Sequence, residues 1–451
     1  MGLEISIELL TLIMFGSLVG LLMAGLPLAF VTGGLACVFL FVLGDARALN
    51  IVPSRIFPLM TDYQLSAIPL FIFMAAMLER AGIINDMFDV IYKVLGGLRG
   101  GLAAATILAS TILAAMVGVI GAAVVTMGII ALPAMLRRGY DPKIAMGSIM
   151  AGGTLGILIP PSILAIIYAV VAEQSVGELF IGAVFPGLLL SGLYILYVVA
   201  RSYLNPDLGP PIPVAERVSN PEKLRLVGKM SAPIALIFVV LGVIFTGVAT
   251  PVEAAGIGTY GAFIVAAIHR KLDWPTIREA CLTTLKASAM VIWIMFGATI
   301  FVGLYVLNGG QTFVQEALAA TGFGPWGILI IMQIVLIILG MFLDWVGILL
   351  LCVPIFVPII KALGPAAFGM SSPDDLVLWF GVLYLVNMQM SFLSPPFGYA
   401  LFYLRGVAPA SIPMSDIFLS ALPFLALQLA GLVLCMLFPE IIIWLPRLVY
   451  G

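Results

Sequence analysis

The sequence predicts an all-α polytopic membrane protein. Of its 451 residues, 63% are hydrophobic and only 9% are charged, whereas a soluble domain is about 45–50% apolar and about 25% charged. A helix needs about 20 mostly apolar residues to cross a bilayer, and nine stretches without Asp, Glu, Lys or Arg exceed that length. These stretches are 9–44, 100–136, 144–172, 179–200, 230–252, 287–315, 317–343, 376–404 and 417–439. A water-soluble fold is therefore excluded.

Ten spans and two hairpins follow from the order of these stretches. The predicted spans lie near 5–24, 26–44, 65–80, 144–172, 180–200, 232–249, 252–268, 287–307, 376–404 and 417–438. Segments 100–136 and 325–360 are predicted to enter and leave the membrane on the same side. The first turns at the uncharged stretch 118–123 and the second near 344–347. Non-helical backbone is tolerated at membrane depth only where it is buried or lines a cavity. Two ordinary spans remain the alternative for each segment.

The orientation follows from the basic residues, which favour the cytoplasmic side of a membrane. Placing 202–229 in the cytoplasm leaves four of the 20 Lys and Arg residues outside, namely Arg47, Arg55, Lys361 and Arg447. Ten crossings then put both termini outside. Residues 1–10 carry two Glu and no basic residue, so we expect no cleavable signal peptide and a retained first span.

Two proline pairs interrupt predicted spans at related positions. Pro160-Pro161 and Pro395-Pro396 are separated by an offset of 235, which also aligns Tyr168 with Tyr403. A hairpin precedes each pair, and the loop assignment makes the two broken helices run in opposite directions. The fold class is thus an inverted repeat of hairpin plus broken helix. We expect scaffold spans over 1–98, a first repeat over 99–200, a cytoplasmic loop over 201–231, scaffold spans over 232–322, a second repeat over 323–438 and a tail over 439–451.

The interruptions predict binding chemistry. Proline removes an N–H and blocks the carbonyl four residues earlier, so the carbonyls of Gly156, Ile157, Ser391 and Phe392 should lack helical partners. Carbonyl and hydroxyl oxygens suit a hard cation such as Na⁺, while the free N–H groups of the second half-helix suit a carboxylate. The alternative is a kink repaired by neighbouring groups. The predicted cation ligands are Thr154, Gly156, Asn387, Gln389 and Ser391. The predicted substrate contacts are Gly153, Pro160, Pro161, Ser162, Ser394, Pro395, Pro396 and Gly398.

Two acids within apolar sequence receive different interpretations. Asp344 is the only acid in the run 317–360, and a carboxylate inside a membrane is costly and usually functional. We therefore place it in or beside the second cation site; the alternative is an acid near a hairpin end. Glu253 follows Pro251 at a predicted helix start, where both residues are favourable. Its expected role is structural.

Other functional classes lack their motifs. The 20 basic residues do not cluster, so no nucleic-acid surface is expected. With one histidine, His269, and no acid pair within a span, a membrane-embedded enzyme is disfavoured. A channel would need a continuous polar pore, which two separate breaks do not provide. No phosphate-binding loop is present, and no cofactor is expected.

The chain resembles the large membrane subunit of tripartite ATP-independent periplasmic (TRAP) transporters, the DctM-like permeases, over essentially its whole length. The stretches that carry the resemblance are 68–72, Gly139-Tyr140-Asp141, the Gly-Thr-Leu-Gly-Ile-Leu-Ile-Pro-Pro-Ser run at 153–162, and 250–255. The resemblance implies an elevator-type carrier driven by Na⁺ in a bacterial or archaeal cytoplasmic (inner) membrane. It also implies two partners, a small four-helix membrane subunit and a periplasmic binding protein that delivers an organic acid.

Two details of the resemblance concern the site. At the first hairpin the family often carries hydroxyl residues, and this places Gly118 and Thr126 among the cation ligands. The matching stretch here, Gly121-Ala122-Ala123-Val124-Val125-Thr126, lacks most of those hydroxyls. The stretch 397–406 is similar to a subgroup associated with 2-oxoacids or other monocarboxylates. The resulting prediction is Na⁺-coupled, binding-protein-dependent uptake of a carboxylate, and the alternative is a stand-alone ion-coupled anion carrier.

Overall fold

The computed structural model describes residues 5–44, 46–117, 120–213, 217–396 and 398–450. Helices make up 83% of the chain, and the described residues contain no strand. In chain order the helices are α1 (Ile7–Met23), α2 (Leu28–Gly44), α3 (Ile51–Thr61), α4 (Ala67–Arg80), α5 (Ile83–Leu95), α6 (Gly101–Val117), α7 (Ile120–Arg137), α8 (Pro142–Thr154), α9 (Ile163–Ala172), α10 (Val176–Leu204), α11 (Asn220–Lys229), α12 (Ser231–Phe245), α13 (Pro251–Ile268), α14 (Trp274–Leu307), α15 (Gly310–Ala320), α16 (Pro325–Gly340), α17 (Trp345–Leu363), α18 (Pro373–Leu393), α19 (Tyr399–Val407), α20 (Met414–Leu437) and α21 (Glu440–Tyr450).

The fold is the polytopic helical one that the sequence predicts. Among the described residues, α10, α13, α14, α17, α18 and α20 are each long and apolar enough to cross a bilayer, and up to two sharply bent pairs add one span each. The count of ten crossings stays a prediction. α14 is longer than predicted: it has 34 residues because it begins at Trp274, where the Asp273 side chain accepts a hydrogen bond from the Thr276 N–H at 2.8 Å.

Both predicted hairpin segments form two helices joined by a short break. In the second segment the break covers Met341–Asp344, so the prediction that 345–347 turn is wrong: these residues already belong to α17, with Asp344 at its N-cap position. In the first, α7 already begins at Ile120, so residues 120–123 are helical rather than part of the turn. Gly118 and Val119 lie outside the described residues.

The two broken helices have the predicted form and opposite directions. α8 ends at Thr154, a short 3-10 turn covers Leu155–Ile157, and α9 begins at Ile163. α18 ends at Leu393 and α19 begins at Tyr399. The hydroxyl of Thr154 reaches Gln389 at 3.5 Å, whereas the hydroxyl of Tyr168 donates to the carbonyl of Val377 at 3.3 Å. Residues later in the first broken helix therefore contact residues earlier in α18, so the two broken helices run antiparallel.

The second half-helix of each repeat packs against the hairpin of the other. α9 lies against α17 and α19 against α7. The contact between α7 and α19 is close, since a Cβ atom at Gly121 would lie 3.1 Å from the Tyr403 ring. The cores α8 and α18 also contact each other and the opposite long helices, α20 and α10. The two repeats therefore share one packed interior.

A second group of helices packs beside the repeats. α4 lies against α13 and α14, and α14 also lies against α2. The Thr259 hydroxyl on α13 donates to the carbonyl of Leu70 on α4 at 3.0 Å. α2 and α14 approach closely at Gly297, where a Cβ atom would lie 2.9 Å from the backbone nitrogen of Gly33. These helices are the ones predicted as scaffold spans.

Two of the sequence motifs cap the N-termini of helices. Thr250 and Glu253 form a capping box with Pro251 in the first turn of α13: the Thr250 N–H donates to the Glu253 carboxylate at 2.8 Å, and the Glu253 N–H donates to the Thr250 hydroxyl at 3.3 Å. The structural role expected for Glu253 is confirmed. At the start of α8 the Asp141 carboxylate accepts from the N–H groups of Lys143 and Ile144.

Replacing Gly147 with alanine should destabilise the interior shared by the repeats. A Cβ atom there would lie 2.5 Å from the carbonyl oxygen of Ser420 and collide with the Phe424 ring on α20. Overpacking of this kind costs about 1–3 kcal/mol. We expect a lower melting temperature of the detergent-solubilised protein. Gly192→Ala on α10 is the matched control because a Cβ atom added at Gly192 would have nothing within 4 Å, and it should melt no lower than the wild type. Equal melting temperatures for both variants would contradict this packing.

Candidate functional site

The predicted site residues meet where the two broken helices cross. The hydroxyl of Thr154 lies 3.5 Å from the side-chain oxygen of Gln389, and these two positions are related by the repeat offset. Thr154 and Gln389 are fully buried. The contact therefore lies on the pseudo-symmetry axis of the inverted repeat, where the two halves of the chain contribute equivalent positions.

Sequence reasoning missed two residues of this crossing. The side-chain nitrogen of Gln428, on α20, donates to the Thr154 hydroxyl at 3.3 Å. The buried hydroxyl of Tyr194, on α10, borders the same group. The sequence contains a signal that could have identified Gln428, because it is a polar residue in the charge-free stretch 417–439. Tyr194 had none, since a tyrosine in an apolar helix is ordinarily a packing residue.

A buried amide pair connects the second hairpin to the second broken helix. The Asn387 side-chain nitrogen donates to the side-chain oxygen of Gln333 at 2.7 Å and to the Gln333 backbone carbonyl at 3.0 Å. Both residues are buried. Gln333, on α16, was not among the predicted site residues. The pair fixes α16 against α18 two residues before Gln389.

Several buried oxygens at the crossing have no hydrogen-bond partner among the described residues. They are the Tyr194 hydroxyl and the side-chain oxygens of Asn387, Ser391 and Gln428; the side-chain nitrogens of Gln333 and Gln389 are unpaired as well. Ser391 packs against the end of α16, the first helix of the second hairpin. A Cβ atom added at Gly340 would collide with the Ser391 hydroxyl. An unpaired buried oxygen costs about 1–3 kcal/mol, and a bound cation or water relieves that cost. The side-chain oxygens of Asn387, Ser391 and Gln428 are thus the groups best suited to hold a hard cation.

The first break repairs part of its own backbone. The Ser162 hydroxyl donates to the carbonyl of Ile157 and accepts from the N–H of Ala165 at 3.3 Å. The Ile157 carbonyl thus receives a side-chain partner from the N-cap residue of α9, which is the repair by neighbouring groups that the sequence left open as the alternative. Gly153 faces the first hairpin, where a Cβ atom would collide with Val124. Pro160, Pro161 and Gly156 are buried.

The second break is more open than the first. Pro396 is exposed and Pro395 half-buried. The Gly398 N–H donates to the Ser394 carbonyl at 3.0 Å, and the Ser394 hydroxyl donates to the Met390 carbonyl at 2.8 Å. A Cβ atom at Gly398 would lie 2.6 Å from the carbonyl oxygen of Phe392, so glycine is required there.

Asp344 lies at the tip of the second hairpin beside the second break. It is partly exposed, and its carboxylate acts electrostatically on the phenol groups of Tyr399 and Tyr403 on α19. Its neighbour Leu343 and Tyr399 line a cavity of about 460 Å³, whose other wall comes from α1. The residue next to the acid thus lines a space large enough for a small organic molecule.

The structure does not bring every predicted ligand to the crossing. The Thr126 hydroxyl, on α7, donates to the carboxylate of Glu79 on α4 at 3.4 Å. Glu79 was not predicted, although it is an acid at the end of an apolar helix. Gly118 lies outside the described residues. The assignment of these residues to a cation site stays a prediction.

The chain matches a known family over residues 15–441, described as "Tripartite ATP-independent periplasmic transporter, DctM component". It is 33% identical to the C4-dicarboxylate TRAP transporter large permease protein DctM of Pseudomonas aeruginosa, covering 92% of each chain. It is 30% identical to the isethionate TRAP transporter permease protein DctMQ of Oleidesulfovibrio alaskensis, covering 95% of this chain and 65% of that longer one.

A more distant relative and a solved structure extend the comparison. Identity is 27% to the sialic acid TRAP transporter large permease protein SiaM of Vibrio cholerae, with 96% of this chain and 97% of that one covered. The crystal structure of the Alcanivorax borkumensis YdaH transporter is similar with a TM-score of 0.63 at 14% identity, covering 95% of this chain and 99% of that one. At that identity the likeness concerns the fold alone.

Removing both members of the buried amide pair should cost less than the sum of the two single removals. Asn387→Ala leaves two Gln333 oxygens without their donor, at about 1–3 kcal/mol. Thermal unfolding of Asn387→Ala, Gln333→Ala and the double variant gives the coupling energy of the pair. We expect the double variant to be more stable than the sum of the single losses predicts. Additive losses would mean that the pair does not hold α16 to α18.

Proposed function

Because the chain belongs to the DctM family, the large membrane component of TRAP transporters, we propose that it is the permease of a Na⁺-coupled, binding-protein-dependent importer of an organic acid. Its family is one of transporters and not of enzymes. The observation that carries the proposal is the crossing of two antiparallel broken helices at Thr154 and Gln389. Interrupted helices of an inverted repeat are a recurring way to build a substrate and ion site at mid-membrane.

Coupling to Na⁺ is supported by the oxygens at the crossing. Hard cations prefer oxygen ligands, and the unpaired oxygens of Asn387, Ser391 and Gln428 are such ligands. We assign Ser391 and Asp344 to one cation site, and Thr154 and Gly156 to the other. Gln428 is an additional candidate at the second of these. A single positive charge reaching the site would make the binding of an anion beside it more favourable.

The carboxylate is proposed to bind between the breaks. α9 begins directly after the first break and α19 directly after the second, and the N-terminal end of a helix favours an anion. Ser162 and Gly398 stand at these two helix starts. Because Pro396 is exposed while Pro160 and Pro161 are buried, the second break is the one that is accessible from the protein surface in this conformation.

The driving force is sufficient for such a carrier. A tenfold Na⁺ gradient supplies about 1.4 kcal/mol per ion, and 100 mV adds about 2.3 kcal/mol for each net charge moved. One uncompensated Na⁺ could therefore accumulate a solute several-hundred-fold. We propose rigid-body, elevator-type movement of the two repeats, 99–200 and 323–438, against the remaining spans. The shared interior of the repeats supports their moving as one body.

Partners and location follow from the family. We propose that the chain acts with a small membrane subunit and a periplasmic substrate-binding protein in the inner membrane. Some relatives are fused DctMQ permeases, which supports a small membrane subunit as a partner. Relatives are named for C4-dicarboxylate, isethionate and sialic acid. The stretch 397–406 favours a 2-oxoacid or another monocarboxylate.

Asp344→Asn and Ser391→Ala should each reduce Na⁺-dependent uptake at least tenfold in proteoliposomes that contain the full system. Loss of one charge-assisted ligand is worth about 1.5–3 kcal/mol, which supports that magnitude, and the concentration of Na⁺ for half-maximal uptake should rise. The measurement is initial uptake of radiolabelled substrate against Na⁺ concentration.

Matched controls for these variants are Glu316→Gln, which removes an exposed acid on α15, and Ser148→Ala, which removes a buried serine on α8 whose hydroxyl bonds its own helix. Both should keep the wild-type Na⁺ dependence. Wild-type Na⁺ dependence in the Asp344 and Ser391 variants would defeat the cation-site assignment without affecting the family membership.

Omitting the binding protein should abolish uptake. A binding-protein-dependent permease receives its substrate only from the loaded partner, whereas a stand-alone carrier takes it from solution. The measurement is uptake into proteoliposomes with and without added binding protein, at equal free substrate. Undiminished uptake without the binding protein would favour the stand-alone ion-coupled carrier.

A further inference from the structure

A second cavity contains a guanidinium group and lies away from the two breaks. Its volume is about 290 Å³, and it lies between α3, α14 and α15 on one side and α9 and α17 on the other. Its polar lining residues are Arg55, Thr299 and Gln311. In the proposed function the first group of helices is static and the second moves. The cavity is therefore at the boundary between the two parts, on the predicted outer side.

Arg55 differs from the other basic residues predicted outside. Arg447 is neutralised by the Asp375 carboxylate at 2.9 Å. Lys361 is exposed at the surface, and Arg47 has an interaction of its own. Arg55 is half-buried and forms no ion pair with any residue in the described part of the chain. A basic residue is disfavoured on the outer side, so an unneutralised one inside a cavity calls for an anionic ligand.

The backbone of α14 makes room for this side chain. A Cβ atom at Gly303 would lie 3.0 Å from Nε and 3.3 Å from Cζ of Arg55. A larger residue would displace the guanidinium group from this place. Guanidinium presents a planar fork of N–H donors that matches the two oxygens of a carboxylate. Thr299 and Gln311 supply further hydrogen-bonding groups in the same cavity.

The cavity is connected to the proposed substrate site by about two turns of α9. Val170, in its wall, follows Ser162 by eight residues of one helix, which is roughly 12 Å at 1.5 Å per residue. We propose that the Arg55 cavity is a capture site where a small organic carboxylate binds on its way from the outer side to the broken helices. This inference rests on the proposed function for the identity of the anion and its route.

Charge-selective labelling tests the site without requiring transport. The full chain carries Gln311→Cys, and its four native cysteines are replaced by alanine. Labelling rates are compared for anionic 2-sulfonatoethyl methanethiosulfonate and cationic 2-trimethylammonioethyl methanethiosulfonate. We expect Arg55→Gln to lower the anionic-to-cationic rate ratio roughly tenfold, because a focused positive charge raises the local concentration of anions. Propionate should slow anionic labelling when Arg55 is present.

Two variants show whether the effect belongs to Arg55. Lys361→Gln removes one exposed positive charge on α17 and should leave the ratio unchanged. Gly303→Leu keeps every charge and should lower the ratio, because its side chain would occupy the space of the guanidinium group. A ratio that Arg55→Gln leaves unchanged, or labelling that propionate does not slow, would overturn the capture site.

Uptake kinetics separate this inference from the proposed function. With the complete system, Arg55→Gln should raise the apparent KM for the carboxylate roughly tenfold and change kcat less than twofold, and Arg55→Lys should restore part of the affinity. If Arg55→Gln instead raises only the concentration of binding protein that gives half-maximal uptake, Arg55 contacts that protein and the capture site is refuted. If the Gln311→Cys chain with Arg55 labels as expected but the wild-type protein shows no Na⁺-driven uptake, the proposed function fails while the anion site stands.

Discussion

The fold depends on how an interrupted backbone is satisfied inside a membrane. Each proline pair ends a helix where water is not available, and every carbonyl or N–H left there needs a partner from the protein or a ligand. At the first break the Ser162 hydroxyl bonds the Ile157 carbonyl. At the second break, the Gly398 N–H donates to the Ser394 carbonyl, and the Gly398 backbone packs closely against the Phe392 carbonyl. The breaks are thus ordered structures, and unpaired side-chain oxygens and nitrogens lie near them in the described part of the chain.

This arrangement explains why the two repeats share one interior. A break exposes polar backbone on the side facing the opposite repeat, so each half must be covered by the other. α9 packs on α17 and α19 on α7, while α8 meets α20 and α18 meets α10. Separating the repeats would uncover both breaks. The same geometry gathers Thr154, Gln389 and Gln428 at one point, which is where a cation could replace the missing partners.

The contacts between the repeats and the remaining helices have a different character. They include the Thr126–Glu79 hydrogen bond at 3.4 Å and the cavity in which Arg55 lies. The boundary also includes close helix packing, α5 against α6 and α14 against α17, so it combines packed contacts with open space. A boundary of this kind suits movement of one part against the other, and it leaves space through which a small anion can reach the crossing.

The sequence by itself determined the membrane class, the positions of most helices, both breaks and the repeat, because charge-free stretches and proline pairs act through local rules of helix formation and hydrophobicity. It also placed Thr154, Asn387, Gln389 and Ser391 in the interior where the repeats meet. Tertiary structure alone decided which oxygens stay unpaired and that Gln333 and Gln428 join the crossing. Those outcomes depend on contacts between residues separated by 54 and 274 positions, and no local pattern in the chain encodes such distances.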